Sequence, residues 1–427
     1  MALSVSPMSK FGSSGVVYSG VFVIAFLFFS EWLQKLNFIV LPAGIRQLIC
    51  FIYFFVAFIL RSNKLVISKN YFALIILMFG FIVLNFYYAD VLLYNYVLGI
   101  LFTFNFVLIF LFSSNTFLSI STLNLYLKFL LILILVFITP PFVEGLIDGT
   151  SLRYHPGFFR EAGALGTSMN CGVILSVCLF IITRNKTFLY IALFLTFGVF
   201  FTTLKKAIIC NILIWLAYAY YFLSFKKLLN FLLFSSLFLI AATAFVGADI
   251  LQDIYDNIDY FERVGEEHVR VSMYLTSIKI ANNYFPFGCG LGSFGSIPSL
   301  IDGYSKIYYQ YGISDIQPLG PEIVASGATH MLFDTYWPHI LGELGYGGLI
   351  FFLLLWLFPL RRSLIVLKNI EFSNFNRASA FFVFSIVFLV TIEGFTLYTP
   401  EIPAFVFFES GIAGYLYCHL KTKCILQ

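Results

Sequence analysis

The sequence predicts an all-α, polytopic membrane protein: about twelve transmembrane helices, both termini cytoplasmic, and one large outward-facing loop with short helices of its own. Three observations carry this. Of the 427 residues 60% are hydrophobic and only 11% charged, against about a quarter charged in soluble domains. The apolar residues fall into stretches near the roughly 20 residues that cross a hydrocarbon core of about 30 Å. The Lys and Arg residues collect in alternate connections, as they do when every second connection is cytoplasmic.

In chain order the stretches start near Val16, Ile45, Tyr71, Val91, Leu125, Ala164, Thr187, Ala207, Leu228, His339, Ala378 and Ala404. The second is the least regular, with Pro42 and Arg46 at its start, and the last two carry Glu393 and Glu409. Lys10 precedes the first stretch and no small-residue cleavage site follows it, so that stretch is expected to stay as a helix. Residues 1–251 then hold nine helices with short outer loops at 140–163 and 202–206. Residues 252–338 form the large loop, and residues 339–427 hold the last three helices. Six of the seven cysteines lie in or beside apolar stretches and only Cys289 lies in the large loop, which argues against a disulfide framework. No Cys-x-x-Cys or His-Glu-x-x-His spacing points to a metal.

With the N-terminus inside, 15 of the 25 basic residues fall on inner connections, among them Arg61, Arg184, Arg361, Arg362, Lys368 and Arg377. The exceptions are more telling. Lys205 and Lys206 sit in a short outer hairpin, T-L-K-K-A, with no topological need for charge. They suit an anion near the membrane surface, or equally headgroup snorkelling. The outer segment R-Y-H-P-G-F-F-R-E brings Arg153, His155, Arg160 and Glu161 to the same side. Arg160 and Glu161 also read as a structural ion pair. The small residues of G-A-L-G-T-S-M-N after them permit close helix packing.

The large loop opens with a helix expected over Tyr260 to Asn283. Its apolar stripe is Val264, Val271, Tyr274, Leu275 and Ile278, and its polar side holds Glu267, Arg270, Ser277 and Lys279. P-F-G-C-G-L-G-S-F-G follows (Pro286 to Gly295). It matches a dinucleotide-binding glycine pattern in form, but follows a helix and not a strand, so its glycines are expected to serve tight turns and close backbone approach. Tyr304, Tyr308, Tyr309 and Tyr311 suit either sugar stacking or a membrane-interface belt. His330, Asp334 and His339 then cluster ahead of the tenth helix, where Pro338 is expected to limit regular helix. Asp334 is a candidate general base with His330 or His339 as partner.

The order of these motifs resembles the O-antigen polymerase and O-antigen ligase superfamily of bacterial envelopes. The matching pieces are R-Y-H-P-G-F-F-R-E; T-L-K-K-A; the arginine-led helix with P-F-G-C-G-L-G-S-F-G; and E-L-G-Y-G-G (Glu343 to Gly348). They span roughly Arg153 to Phe352. The resemblance implies a multi-pass inner-membrane glycosyltransferase with its site on the periplasmic face, moving a glycan from undecaprenyl diphosphate to an acceptor hydroxyl. For that chemistry the residues of this chain offer Arg270, Lys206, Lys205, Arg160, Arg153 and His339 as contacts to diphosphate or glycan, Asp334 with His330 as base, and Glu161 as second choice. No metal, nucleotide or other cofactor is implied, and no nucleic acid; the partners are the lipid-linked donor and acceptor, the bilayer and a chain-length regulator. Two departures bear on activity. Lysine stands at the hairpin's arginine, and Asp334 stands where many members have histidine, which favours polymerase over ligase. Alternatives are a flippase for the same lipid-linked glycan, a ligase acting on lipid A core, and a scaffold that binds through its loop.

Overall fold

The computed structural model describes residues 11–35, 43–61, 68–89, 91–148, 152, 155–159, 162–224, 269–301, 303–317, 319–325, 332–333, 335–395 and 402–422. Among them the regular structure is entirely helical: α1 Phe11–Lys35, α2 Ala43–Arg61, α3 Lys69–Tyr88, α4 Leu93–Ser113, α5 Ile120–Asp148, α6 Ala162–Thr183, α7 Lys186–Phe201, α8 Lys205–Phe222, α9 Val269–Asn283, α10 Lys306–Gln310, α11 Pro321–Ala325, α12 Tyr336–Lys368 and α13 Asn374–Glu393. The last element starts as α14 (Pro403–Val406), widens into a π-helix over Phe407–Ile412 and ends as α15 (Ala413–Thr422). Seven described helices are long and apolar enough to cross a membrane, and Gly15–Ser30 and Lys186–Phe201 are shorter apolar helices. The stretch expected from Leu228 lies outside the described residues.

The helices bury and expose residues as membrane helices do. On α3, Phe72, Ile76, Phe79 and Val83 are all at least half exposed and recur three or four positions apart, so one apolar face is left for lipid. α6 is the reverse case, with 89% of its span buried inside the bundle. It packs through small residues: a Cβ on Gly166 would lie 2.9 Å from the Ala207 Cβ of α8. Asn170 donates to Ala207 O at 2.9 Å and accepts from Asn211 Nδ2 at 2.9 Å. Such polar links between α6 and α8 are favoured where no water competes for them.

The two ends of the bundle differ. At one end Arg377 donates to Tyr221 O at 2.6 Å and Arg362 Nε to Leu420 O at 3.1 Å, so both guanidinium groups meet carbonyls in the last turns of α8 and α15. Cations there complement the negative ends of the helix dipoles. Arg184 reaches Asn374 Oδ1 at 3.0 Å at this same end. The opposite end carries the loop elements α9 to α11.

Three expectations change. α12 begins at Tyr336 with Pro338 in its first turn, where the missing N–H costs nothing. Its interruption is instead at Gly345 (φ 62°, ψ −173°). On α9 the packed face is Ser272, Met273, Thr276, Ser277, Ile280 and Ala281, while Ile278 is 42% exposed. The packed face is therefore offset from the expected stripe, whose Val271, Tyr274 and Leu275 are half-buried: Met273 and Ile280 pack beside small residues that permit close helix contact. Finally, α5 continues through Pro140 and Pro141 to Asp148. Tyr260, Val264 and Glu267 lie outside the described residues.

Candidate functional site

The loop end of the bundle is built on the break in α12. Gly345 adopts a backbone conformation that only glycine holds readily, and this turns the chain so that the carbonyls of Gly342 and Glu343 accept from Cys289 N at 3.0 Å and Gly290 N at 3.1 Å. The glycine-rich segment thus lies directly against α12. A Cβ on Gly288 would sit 2.6 Å from Glu343 C, so the glycines serve close backbone approach. Asn85, at the end of α3, closes the arrangement. Its Nδ2 donates to Phe287 O at 2.6 Å and Glu343 O at 2.9 Å, and its Oδ1 accepts from Tyr96 OH at 2.8 Å.

The Glu343 side chain fixes the same segment from beneath. Its Oε1 accepts from Phe294 N at 3.0 Å and from Ser296 Oγ at 2.6 Å, and its Oε2 lies 3.4 Å from His339 Nδ1. His339 and Glu343 are 1% and 0% exposed at their side chains. His339 is thereby part of the framework under the loop. Burial pushes the Cys289 thiol up to about 12 while its hydrogen bond to Ser293 pulls it back, which leaves a neutral thiol at physiological pH.

Around this framework the charged residues gather. α7 ends at Phe201 and α8 starts at Lys205, and Thr203 between them takes a left-handed conformation (φ 54°). Lys205 and Lys206 therefore occupy the first turn of α8, where the helix dipole disfavours cations and favours anions. Lys206 Nζ lies 3.5 Å from Glu393 Oε2 at the end of α13; the lysine side chain is 21% exposed and the glutamate fully buried. The backbone beside Glu393 joins two further elements. Gly394 O accepts from Tyr336 N at 2.9 Å, and Phe395 O accepts from Tyr274 OH at 2.9 Å. Tyr274 belongs to α9, one turn beyond Arg270. Burial pushes its hydroxyl up to about 12, with the Arg270 charge pulling it down, so it remains a neutral donor. Lys206, Glu393, the start of α12 and the Arg270 helix thus converge on one end of α13.

His155 also lies on the described surface, 3.8 Å from Glu144 Oε2 and 3.4 Å from Asp148 Oδ2 at the end of α5. Arg153, Arg160, Glu161, His330 and Asp334 lie outside the described residues. Among the described residues no three His, Cys, Asp or Glu side chains converge to hold a metal ion. Two functional-looking features escape sequence reasoning. Asn85 is one amide in an apolar helix, and its partners are up to 258 residues away. Glu393 is visible as an intramembrane acid, but nothing in its sequence neighbourhood names Lys206 as its partner. No protein-family model matches the chain, and no curated protein matches its sequence.

Proposed function

We propose that this chain is a twelve-span inner-membrane glycosyltransferase, both termini cytoplasmic, that polymerises undecaprenyl-diphosphate-linked oligosaccharide repeats at the periplasmic face. The observation that carries the reading is the gathering of Lys205, Lys206 and the Arg270 helix at the loop end of the bundle, with two lysines in a helix first turn where an anion is the natural occupant.

In this reading the lipid diphosphate of the donor lies against Lys205, Lys206, Arg270 and Arg160, with Arg153 further out. The acceptor hydroxyl oxygen bonds to the anomeric carbon as the bond from that carbon to the diphosphate breaks. The cations stabilise the charge that accumulates on the departing diphosphate. The hydroxyl proton passes to Asp334, oriented by His330, with Glu161 as the second candidate base. The ligand is already activated by its diphosphate, so the chain's own side chains suffice for the transfer.

A second reading, a flippase for the same lipid-linked glycan, is favoured by one observation: Glu393 and Glu409 are both buried inside the bundle, where ionisable residues commonly line a path. One experiment separates the two. A host lacking the gene is complemented with wild type, Arg270→Ala, Lys206→Ala or Asp334→Ala at matched membrane abundance, and surface glycan is resolved by gel. The polymerase reading expects loss of the polymer ladder with a persisting single-repeat band. Loss of the single-repeat band as well would favour export, and an intact ladder in all three variants would overturn the site.

A further inference from the structure

A second site lies deep in the bundle, away from the loop end. The π-helix Phe407–Ile412 widens the chain by one residue per turn and carries Glu409. π-turns of this kind recur at functional positions. This one is wedged on both sides. A Cβ on Gly411 would collide with the Phe54 ring of α2, one on Gly414 with Ser113 Oγ of α4, and Ser113 donates to Ser410 O at 3.0 Å. The Glu409 carboxyl is 4% exposed, and neither of its oxygens has a hydrogen-bond partner among the described residues. It lines a cavity of about 20 Å³ together with Tyr71, Phe106, Phe110, Trp356 and Ser410. That volume admits roughly one water molecule.

The surroundings identify the ligand. The lining offers the Tyr71 and Ser410 hydroxyls among aromatic and aliphatic groups, and no basic side chain. Trp356 already gives its indole N–H to Thr391 Oγ1. The remaining lining from α12 and α13 is Leu355, Pro359 and Val387, and from α4 Phe106 and Phe110, none of them ionisable. Among the described residues the thiols Cys50 of α2 and Cys171 of α6 are also in electrostatic reach. A dehydrated metal ion needs several oxygen ligands, which this lining does not supply. A bare carboxylate here would be uncompensated. A proton satisfies the carboxyl at once and needs no other ligand.

We propose that Glu409 is a proton-binding site inside the membrane-spanning bundle. The inference does not depend on the glycan reading. A neutral carboxyl in an apolar site reacts with dicyclohexylcarbodiimide: the acid O–H adds across one C=N bond, oxygen to carbon and hydrogen to nitrogen. The resulting O-acylisourea rearranges to a stable N-acylurea, with no atom lost.

The test uses the full-length wild-type protein in native membranes, treated over a pH series with dicyclohexylcarbodiimide or with a charged, water-soluble carbodiimide, and mapped by peptide mass spectrometry. The expected result is modification of Glu409 by the hydrophobic reagent alone, at least roughly tenfold above the exposed Glu144 and Asp148, and falling about tenfold per pH unit above its titration midpoint. Glu409→Gln should remove that adduct and Glu393→Gln should leave it. Three results would overturn the proposal: no adduct at any pH where the detergent-unfolded protein is modified; equal reaction with both reagents, as for Glu144; or an adduct whose yield never changes with pH, since a proton that never leaves is not a bound ligand.

Discussion

Lys206 and Glu393 are unequal partners. The carboxylate is fully buried and the lysine side chain is 21% exposed, so the amine can reach water along its flexible stem while the acid cannot. Removing one member of a buried pair costs most when it is the other, less accessible charge that stays behind. Lys206→Met is therefore expected to destabilise the protein more than Glu393→Gln, by about 1–3 kcal/mol. The double variant should be less destabilised than the sum of the two. Thermal unfolding of the four proteins in one detergent measures this. Equal effects for the two single variants would refute the asymmetry, and strictly additive effects would mean that the pair contributes no net ionic interaction. The same asymmetry bears on binding, since an anionic ligand that draws Lys206 outward must leave Glu393 behind.

At the scale of the element, the decisive feature is the break in α12. Gly345 holds φ 62° and ψ −173°, and a Cβ there would lie 2.5 Å from Pro286 O and Gly288 N. Gly345→Ala has neither the backbone freedom nor the space, and the expected cost is about 3 kcal/mol. The glycine segment should lose its docking first. Hydrogen exchange would show this as faster exchange of the Cys289 and Gly290 amides, which now donate to Gly342 O and Glu343 O; unchanged protection would refute the hinge. Elements of this kind mark the boundary of what is legible in the sequence. Eleven of the twelve expected apolar stretches coincide with described helices, because hydrophobic length is a one-dimensional property that the chain states directly. The close-approach role of the Pro286 to Gly295 glycines was also legible, since a density of glycine has few other physical uses. The packed face of α9 was not. The apolar spacing points to Val271, Tyr274, Leu275 and Ile278, whereas Met273 and Ile280 pack here together with Ser272, Ser277 and Ala281. Nor was the bond set of Asn85 and Glu343, whose partners are set by tertiary contact and not by spacing.

For the whole molecule, the remaining question is which end faces out. Arg362 and Arg377 meet carbonyls in the last turns of two helices at one end, Arg184 reaches Asn374 Oδ1 at that same end, and Lys279 on α9 is exposed near the other. A preference for Lys and Arg in cytoplasmic connections assigns the arginine end to the inside. In that orientation Glu371 is the one acid of 21 expected on an inner connection, although acids weigh little in setting orientation. The assignment is testable by thiol labelling in a Cys424→Ser background, since among the described residues Cys50, Cys171, Cys178, Cys210, Cys289 and Cys418 are all buried free thiols. Lys279→Cys and Glu371→Cys place single accessible thiols at opposite ends, both at exposed positions, where substitution costs little stability. In intact cells a membrane-impermeant maleimide should modify the Lys279→Cys protein, and the Glu371→Cys protein only after permeabilisation. The reverse pattern would invert the molecule and place Lys205, Lys206 and Arg270 in the cytoplasm. A polymerase acting on exported repeats would then be excluded, because its cations would face the side from which its lipid-linked substrate has already departed.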